Sequence, residues 1–447
     1  MWTVAQLGAE LAAGKTSSRE LTEQALARIA DPAGEGVRAF LKVHADRARA
    51  DADYADRLRK AGIRRSPVDG LPVSLKDLFD VAGEVTRAGS RILEKSPPAA
   101  ADAVAVARLR AAGAVFVGRT NMVEFAFSGV GLNPHFGTPR SPWDRKTGRV
   151  PGGSTSGGAV AQADGMCVMA LGSDTRGSIR QPAAFCGVVG FKPTARRVPR
   201  DGAFPLSYTL DSVGPLANSV ACCAVYDAVL SAEGEPALPD IGIKGLRLLL
   251  PRSSALTELD AEVEQAFSAS LQTLSKAGAI VTEVAMPAFD RQGEYFKGGG
   301  FAGAEAYQIH RPYLARHAEY DPRVAKRVLL GKDMSGADYV EIGRLRTAFM
   351  REVEALAAPF DAIVMPTVAC IAPAIAEVER SDDDFFRWNA RILRNNGLIN
   401  FLDGCAVTLP CHAAGNAPVG LMVCGPAMSD RRILSVSAAV ERALSRD

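Results

Sequence analysis

The run PGGSTSGGAVAQADGMCVMALGSDTRGSIRQPAAFCGVVGFKPT, residues 151–194, holds two glycine-rich turns whose serines, Ser154 and Ser178, lie 24 positions apart. The first turn opens a helix of small residues, a short apolar strand follows, and the second turn, GSDTRGS, opens another helix. Glycine lets backbone pack closely in both turns. Strand alternating with helix signals an α/β fold, and the two turns are expected at one end of its sheet.

The same alternation extends outward. Upstream, LPVSLKD (71–77) reads as a strand, and ADAVAVARLRAAG (101–113) reads as a helix that leads into the strand AVFVG. Downstream, FDAIVMP, CAVTLPC and PVGLMVCG read as strands before a final helix from Asp430 to Leu444. Helical patterns open the chain at Val4 to Ile29, with Ser17 and Ser18 as N-caps of a second run, and again at Arg38 to Ala61. The Gly-, Pro- and Asn-rich stretch from Gly129 to Gly153 is expected to be a long surface excursion. The segment from 235 to 350 is more polar, with strands at LRLLLP and AIVTEV around a helix, and is expected to shape or cover the site. No internal repeat interrupts this order. The reading is therefore one interwoven domain over 1–447, comprising a helical layer (1–66), a core (67–230), a variable, mostly helical segment (235–350) and a C-terminal return to the core (351–447). The expected architecture is a large mixed β-sheet with helices on both faces.

The bulk composition excludes several classes. The 447 residues are 47% hydrophobic and 23% charged, ordinary for a globular enzyme. Lys plus Arg (52) balances Asp plus Glu (50), so no net field favours nucleic acid or an anionic membrane, and a small neutral partner fits best. The eight cysteines are scattered through apolar segments without CxxC pairing, which suggests neither a metal site nor a disulfide framework. The amino-terminal residues lack a basic start followed by an apolar run, and no stretch approaches about 18 apolar residues. These features point to a cytoplasmic protein that works without cofactor or metal, and they are compatible with a homodimer.

A serine hydroxyl is a poor nucleophile until a base removes its proton. None of His44, His135, His310, His317 and His412 sits in a recognisable catalytic context, and no serine lies in a GxSxG elbow. Lys76 is the other candidate base, since it ends an apolar strand where burial would depress its pKa. On local sequence alone, a surface lysine paired with Asp77 is the plainer reading. The glycine turns could also cradle phosphate, but neither is completed by Gly-Lys-Ser or Gly-Lys-Thr. Backbone N–H groups ahead of Ser178, at a helix start, could instead converge on a developing oxyanion.

Residues 151–194 closely resemble the signature of the amidase signature family. GLPVSLKDLFDVAG (70–83) is similar to that family's lysine segment, and NMVEFAFSGVGLNPHFGTPRSPWD (121–144) and PVGLMVCG (418–425) match in kind and order. The resemblance implies Ser178 as the acylated nucleophile, Ser154 as a bridging serine after a cis peptide bond, and Lys76 as the base. It also implies an oxyanion hole from the N–H groups of Thr175, Arg176, Gly177 and Ser178, and substrate contacts from Ser128, Gly129, Val130 and Arg176. Two positions depart from the pattern: Ser156 and Arg176 stand where glycine is usual. Arg176 leaves two alternatives open, a side chain turned outward or one that pairs with a substrate carboxylate. The activity so implied is hydrolysis of a small carboxylic amide, or a ureido or hydrazide relative. The alternatives are a glutaminase subunit of a tRNA-dependent amidotransferase and a catalytically dead scaffold.

Overall fold

A computed structural model describes residues 2–234 and 237–445. Residues 1, 235, 236, 446 and 447, which include the expected start of the variable segment, lie outside them. Eleven strands form one mixed sheet: β1 (Phe40–Val43), β2 (Pro72–Lys76), β3 (Val115–Thr120), β4 (Met169–Asp174), β5 (Val189–Lys192), β6 (Ser212–Ala217), β7 (Arg247–Arg252), β8 (Ile280–Ala285), β9 (Ala362–Pro366), β10 (Cys405–Pro410) and β11 (Gly420–Gly425). Their spatial order is β1-β3-β2-β4-β6-β5-β10-β11-β9-β7-β8. Pairing is parallel among β3, β2 and β4 and among β8, β7 and β9, and antiparallel elsewhere.

Side-chain alternation shows why both faces need covering. In β3, Phe116 packs into one apolar cluster with Val106 and Leu109, while Val115 and Val117 pack into another with Ala25, Ala48 and Ala52. Likewise Met169 and Leu171 of β4 face the first cluster and Ala170 the second. A strand buried on both sides reads as a continuous apolar run, which is the pattern of LPVSL and AVFVG. Val73 and Leu75 of β2 share the first cluster, so the period of two turns Ser74 and Lys76 toward the other face, where the helix Ser156–Ala163 lies. At the amino end, Ser17 and Glu20 form a reciprocal capping box that starts the helix Ser18–Ala30.

Two expectations are corrected. The helix expected from Arg38 is interrupted by β1 and begins again only at Ala45, because Phe40–Val43 pairs antiparallel with β3 and its ladder bonds override the helical pattern. The stretch from Gly129 to Gly153 is not a surface excursion: both its ends are buried, and only its middle reaches solvent. Side-chain amides satisfy backbone that forms no regular element there. Asn133 Nδ2 donates to the carbonyls of Gly89 and Met122, and Asn389 Oδ1 accepts from Gly129 N–H at 2.9 Å.

The helix after the first glycine turn is locked against the loop following β3. Gly157 N–H donates to Asn121 C=O at 3.0 Å, and a Cβ on Gly157 would lie 2.3 Å from the Ala39 carbonyl oxygen. The Gly157→Ala variant is expected to lose about 1–3 kcal/mol of stability through this backbone overlap. A thermal unfolding midpoint lowered by several degrees, followed by circular dichroism, checks it; an unchanged midpoint would show that the two segments separate freely.

Candidate active site

β2 and β4 are parallel neighbours, so Lys76 and Asp174 end at the same edge of the sheet, where both glycine turns gather. Lys76 is fully buried, and its Nζ lies 2.8 Å from Ser154 Oγ and 2.8 Å from Ser173 Oγ. Burial pushes its pKa down to about 7, with the charges of Asp174 and Asp211 opposing that shift. Asp77, the neighbour in sequence, pairs instead with Arg119 at 2.8 Å. The Gly153–Ser154 peptide bond is cis, and Thr155 N–H donates to Ser178 C=O at 3.2 Å, which ties one turn to the other. Among the described residues, no hydrogen bond joins the hydroxyls of Ser154 and Ser178.

The turn carrying Ser178 is organised by Asp174. Its Oδ1 accepts from Gly177 N–H at 2.7 Å and its Oδ2 from Ile179 N–H at 3.1 Å, while Arg180 Nε and Nη2 each donate to it at 3.0 Å. Both members of this ion pair are fully buried. Burial alone would raise the Asp174 pKa, but Arg180 and the hydrogen bonds hold it well below the usual carboxylate range. Asn400 Nδ2 adds a bond at 2.9 Å, and Arg180 Nη2 in turn donates to Asn400 Oδ1 at 2.6 Å, so the helix Asp382–Phe401 is anchored to the turn. Thr175 Oγ1 donates to Asp211 Oδ1 at 2.5 Å. The left-handed conformation in the turn falls on Gly177, with φ +113°, and not on Arg176. A Cβ there would meet Gln181 Nε2 at 2.4 Å.

The residues expected from sequence divide accordingly. Gly177 N–H is committed to Asp174, whereas the N–H groups of Thr175, Arg176 and Ser178 make no hydrogen bond among the described residues. Ser128, Thr175, Arg176 and Ser178 line one small cavity, joined by Ala302 and Arg327 from the segment after β8. Gly129 instead packs its backbone beside Gln181 and Leu393, and Val130 is buried in an apolar cluster with Val150, Phe185 and Val368. Ser156 Oγ is buried without a partner. Sequence reading passed over Ser173, Asp174, Arg180, Asp211 and Arg327. The spacing Asp174 to Arg180 across a glycine turn was the available signal for the ion pair.

None of the five histidines is bonded to these serines. His44 pairs with Glu84, His135 with Glu124, and His310 with the Tyr320 hydroxyl, while His317 and His412 meet backbone groups. Among the described residues, no group of three or more His, Cys, Asp or Glu is placed to hold a metal ion. Nor is any helix among them long and apolar enough to cross a membrane.

A buried lysine beside two hydroxyls, next to the glycine turn that carries Ser178 at the carboxyl ends of β2 and β4, defines a candidate site. Comparison with known proteins gives the family. The family model described as Amidase matches residues 20–434. The 2-amino-5-chloromuconic acid deaminase of Comamonas testosteroni is 35% identical over 88% of this chain and 86% of its own. A glutamyl-tRNA(Gln) amidotransferase component from Anaeromyxobacter dehalogenans is 36% identical over 98% of this chain and 95% of its own. A crystal structure of an amidase superposes with a TM-score of 0.88 at 32% identity, covering 99% of each chain. The chain belongs to the amidase family.

Removing the organising charge should be costly, because Arg180 would be left buried and unpaired. Asp174→Ala is expected to lose about 3–5 kcal/mol. Urea unfolding measures it, and a loss below about 1 kcal/mol would show that the turn does not depend on the pair.

Proposed function

We propose that this chain hydrolyses the C–N bond of a small linear carboxylic amide through an acyl-enzyme on Ser178, with Ser154 and Lys76 relaying the proton. The observation that carries this reading is Lys76 itself: a fully buried lysine, 2.8 Å from Ser154 Oγ, whose pKa falls to about 7. A neutral amine can accept from one hydroxyl and donate to another. Nζ would accept the Ser154 proton while donating to Ser173 Oγ.

In this mechanism Ser178 Oγ attacks the amide carbon as its proton passes through Ser154 to Lys76. The carbonyl oxygen becomes an oxyanion facing the unpartnered N–H groups of Thr175, Arg176 and Ser178, while the Gly177 N–H holds the turn in place. Collapse breaks the C–N bond, and the leaving amine recovers the proton through the same path. Water then attacks the Ser178 ester, with the relay again taking a proton, and the carboxylic acid leaves. The sum is amide plus water to acid plus amine, and no step needs a metal or organic cofactor.

A second reading has its own support, namely the similarity to the amidotransferase component over nearly the full length of both chains. There the same chemistry would release ammonia from glutamine for use by a partner protein. Full turnover of simple amides by the isolated chain would set that reading aside.

The base must be neutral to work, and it is protonated below its pKa. The profile of kcat/KM is therefore expected to be level at alkaline pH and to fall about tenfold per unit below about pH 7. Lys76→Ala should lose several orders of magnitude and the acidic limb with them. A wild-type profile that stays level down to pH 5 would rule Lys76 out as the base.

A further inference from the structure

Two cations in the cavity beside Ser178 lack the counter-charges that other buried arginines of this protein have. Arg119 is paired with Asp77, Arg180 with Asp174, and Arg197 with Asp227. Arg176, in the turn after β4, and Arg327, in the helix Pro322–Leu329, line the same cavity as Ser178 and form no ion pair or hydrogen bond through their side chains among the described residues. Both residues are half-buried, and in each the Nε is buried and unpartnered.

Their guanidinium groups are nonetheless held in place. Arg176 Cζ lies 3.7 Å from the ring centroid of Phe296, and Gly397 lies against both side chains, since a Cβ there would come within 3.1 Å of Arg176 Nε and 3.2 Å of Phe296 Cζ. Arg327 Cζ lies 4.6 Å from the ring centroid of Phe127. Contact of this kind holds the charged head against an aromatic face while leaving N–H groups able to donate.

The charge balance points the same way. Burial brings the Arg176 pKa down to about 9, and the neighbouring charge acting on it is the like charge of Arg327, which lowers it further. Burial also brings Arg327 down to about 10, and no carboxylate among the described residues offsets it. Two like charges gathered in one small cavity without an acid between them are unfavourable until an anion joins them.

We propose that Arg176 and Arg327 form a clamp for a carboxylate carried by the substrate, so that the amides this protein selects bear a second, anionic end. The inference rests on the amidase reading above and specifies its substrate class. Carboxylate is the anion that suits the site, since a planar pair of oxygens matches the fork of a guanidinium, and the apolar part of the lining, Ala126, Phe127, Leu206, Ala302 and Leu393, suits a short carbon chain. The two arginines come from separate segments, so the clamp sets specificity through a residue of the nucleophile turn and one of the segment packed over it.

The test compares matched substrates on the full chain. Succinamate and glutaramate are assayed against butanamide and pentanamide, and kcat/KM is expected to favour the carboxylate member of each pair at least tenfold. Arg327→Met should reduce that ratio at least tenfold, and Arg327→Lys should recover part of it. Because the readout is a ratio on one protein, a general loss of folding does not imitate it. In parallel, the Ser178→Ala chain is titrated calorimetrically with glutarate and with neutral glutaramide. Glutarate should bind, glutaramide should bind at least tenfold more weakly, and Arg327→Met in that background should weaken glutarate at least tenfold. Equal turnover of charged and neutral amides, or glutarate binding that is absent or indifferent to Arg327, would overturn the clamp. Arginine-dependent glutarate binding without turnover of any amide would support the clamp and sink the hydrolytic reading instead.

Discussion

A carboxylate with no exposed surface, that of Asp174, gives the turn around Ser178 its shape. It takes two backbone N–H groups, the Arg180 guanidinium and the Asn400 amide at once. Any one of these partners alone would leave a buried charge poorly compensated, but together they satisfy it. The consequence for chemistry is indirect. By holding the N–H groups of Gly177 and Ile179, Asp174 leaves those of Thr175, Arg176 and Ser178 unclaimed at the cavity. By reaching Asn400 through Arg180, it also fixes the helix Asp382–Phe401, whose Gly397 forms the seat for Arg176.

The same negative charge bears on Lys76 from the neighbouring strand. Burial alone would depress the lysine further, while Asp174 and Asp211 raise it part of the way back. The balance leaves Lys76 near neutrality, where a base can both accept and return a proton. Asp211 contributes twice, since it also binds the Thr175 hydroxyl. Structural and electrostatic demands therefore converge on two acids, neither of which touches the cavity where substrate would sit in the role proposed for Ser178.

Much of the sheet was legible in the sequence because its buried strands are uninterrupted apolar runs between glycine turns. LPVSL, AVFVG, LRLLLP and FDAIVMP all became strands. What escaped were elements with weak local signals. β5 is short and contains Gly190, β6 is interrupted by Gly214 and Pro215, and β1 lies inside a pattern that reads as helix until its antiparallel partner is known. The stretch from 129 to 153, buried at both ends, was misjudged because its backbone there is satisfied by distant amides such as Asn389, which no local window contains. The site followed the same rule. Lys76, Ser154 and Ser178 were expected together from the family resemblance of their segments, local sequence alone favouring a surface lysine paired with Asp77. Arg327, by contrast, lines a cavity with Arg176 only through the tertiary fold, and Gly177 stands apart from its neighbours by its φ of +113° and by the bond from its N–H to Asp174.

The central claim is that Ser178 carries the acyl group, and covalent trapping tests it most directly. The native chain treated with a fluorophosphonate at pH 8, digested and mapped by mass spectrometry should carry one adduct, on Ser178, and the Lys76→Ala chain should label far more slowly. An adduct on another residue in its place, or labelling of Ser178 at an unchanged rate without Lys76, would contradict the account.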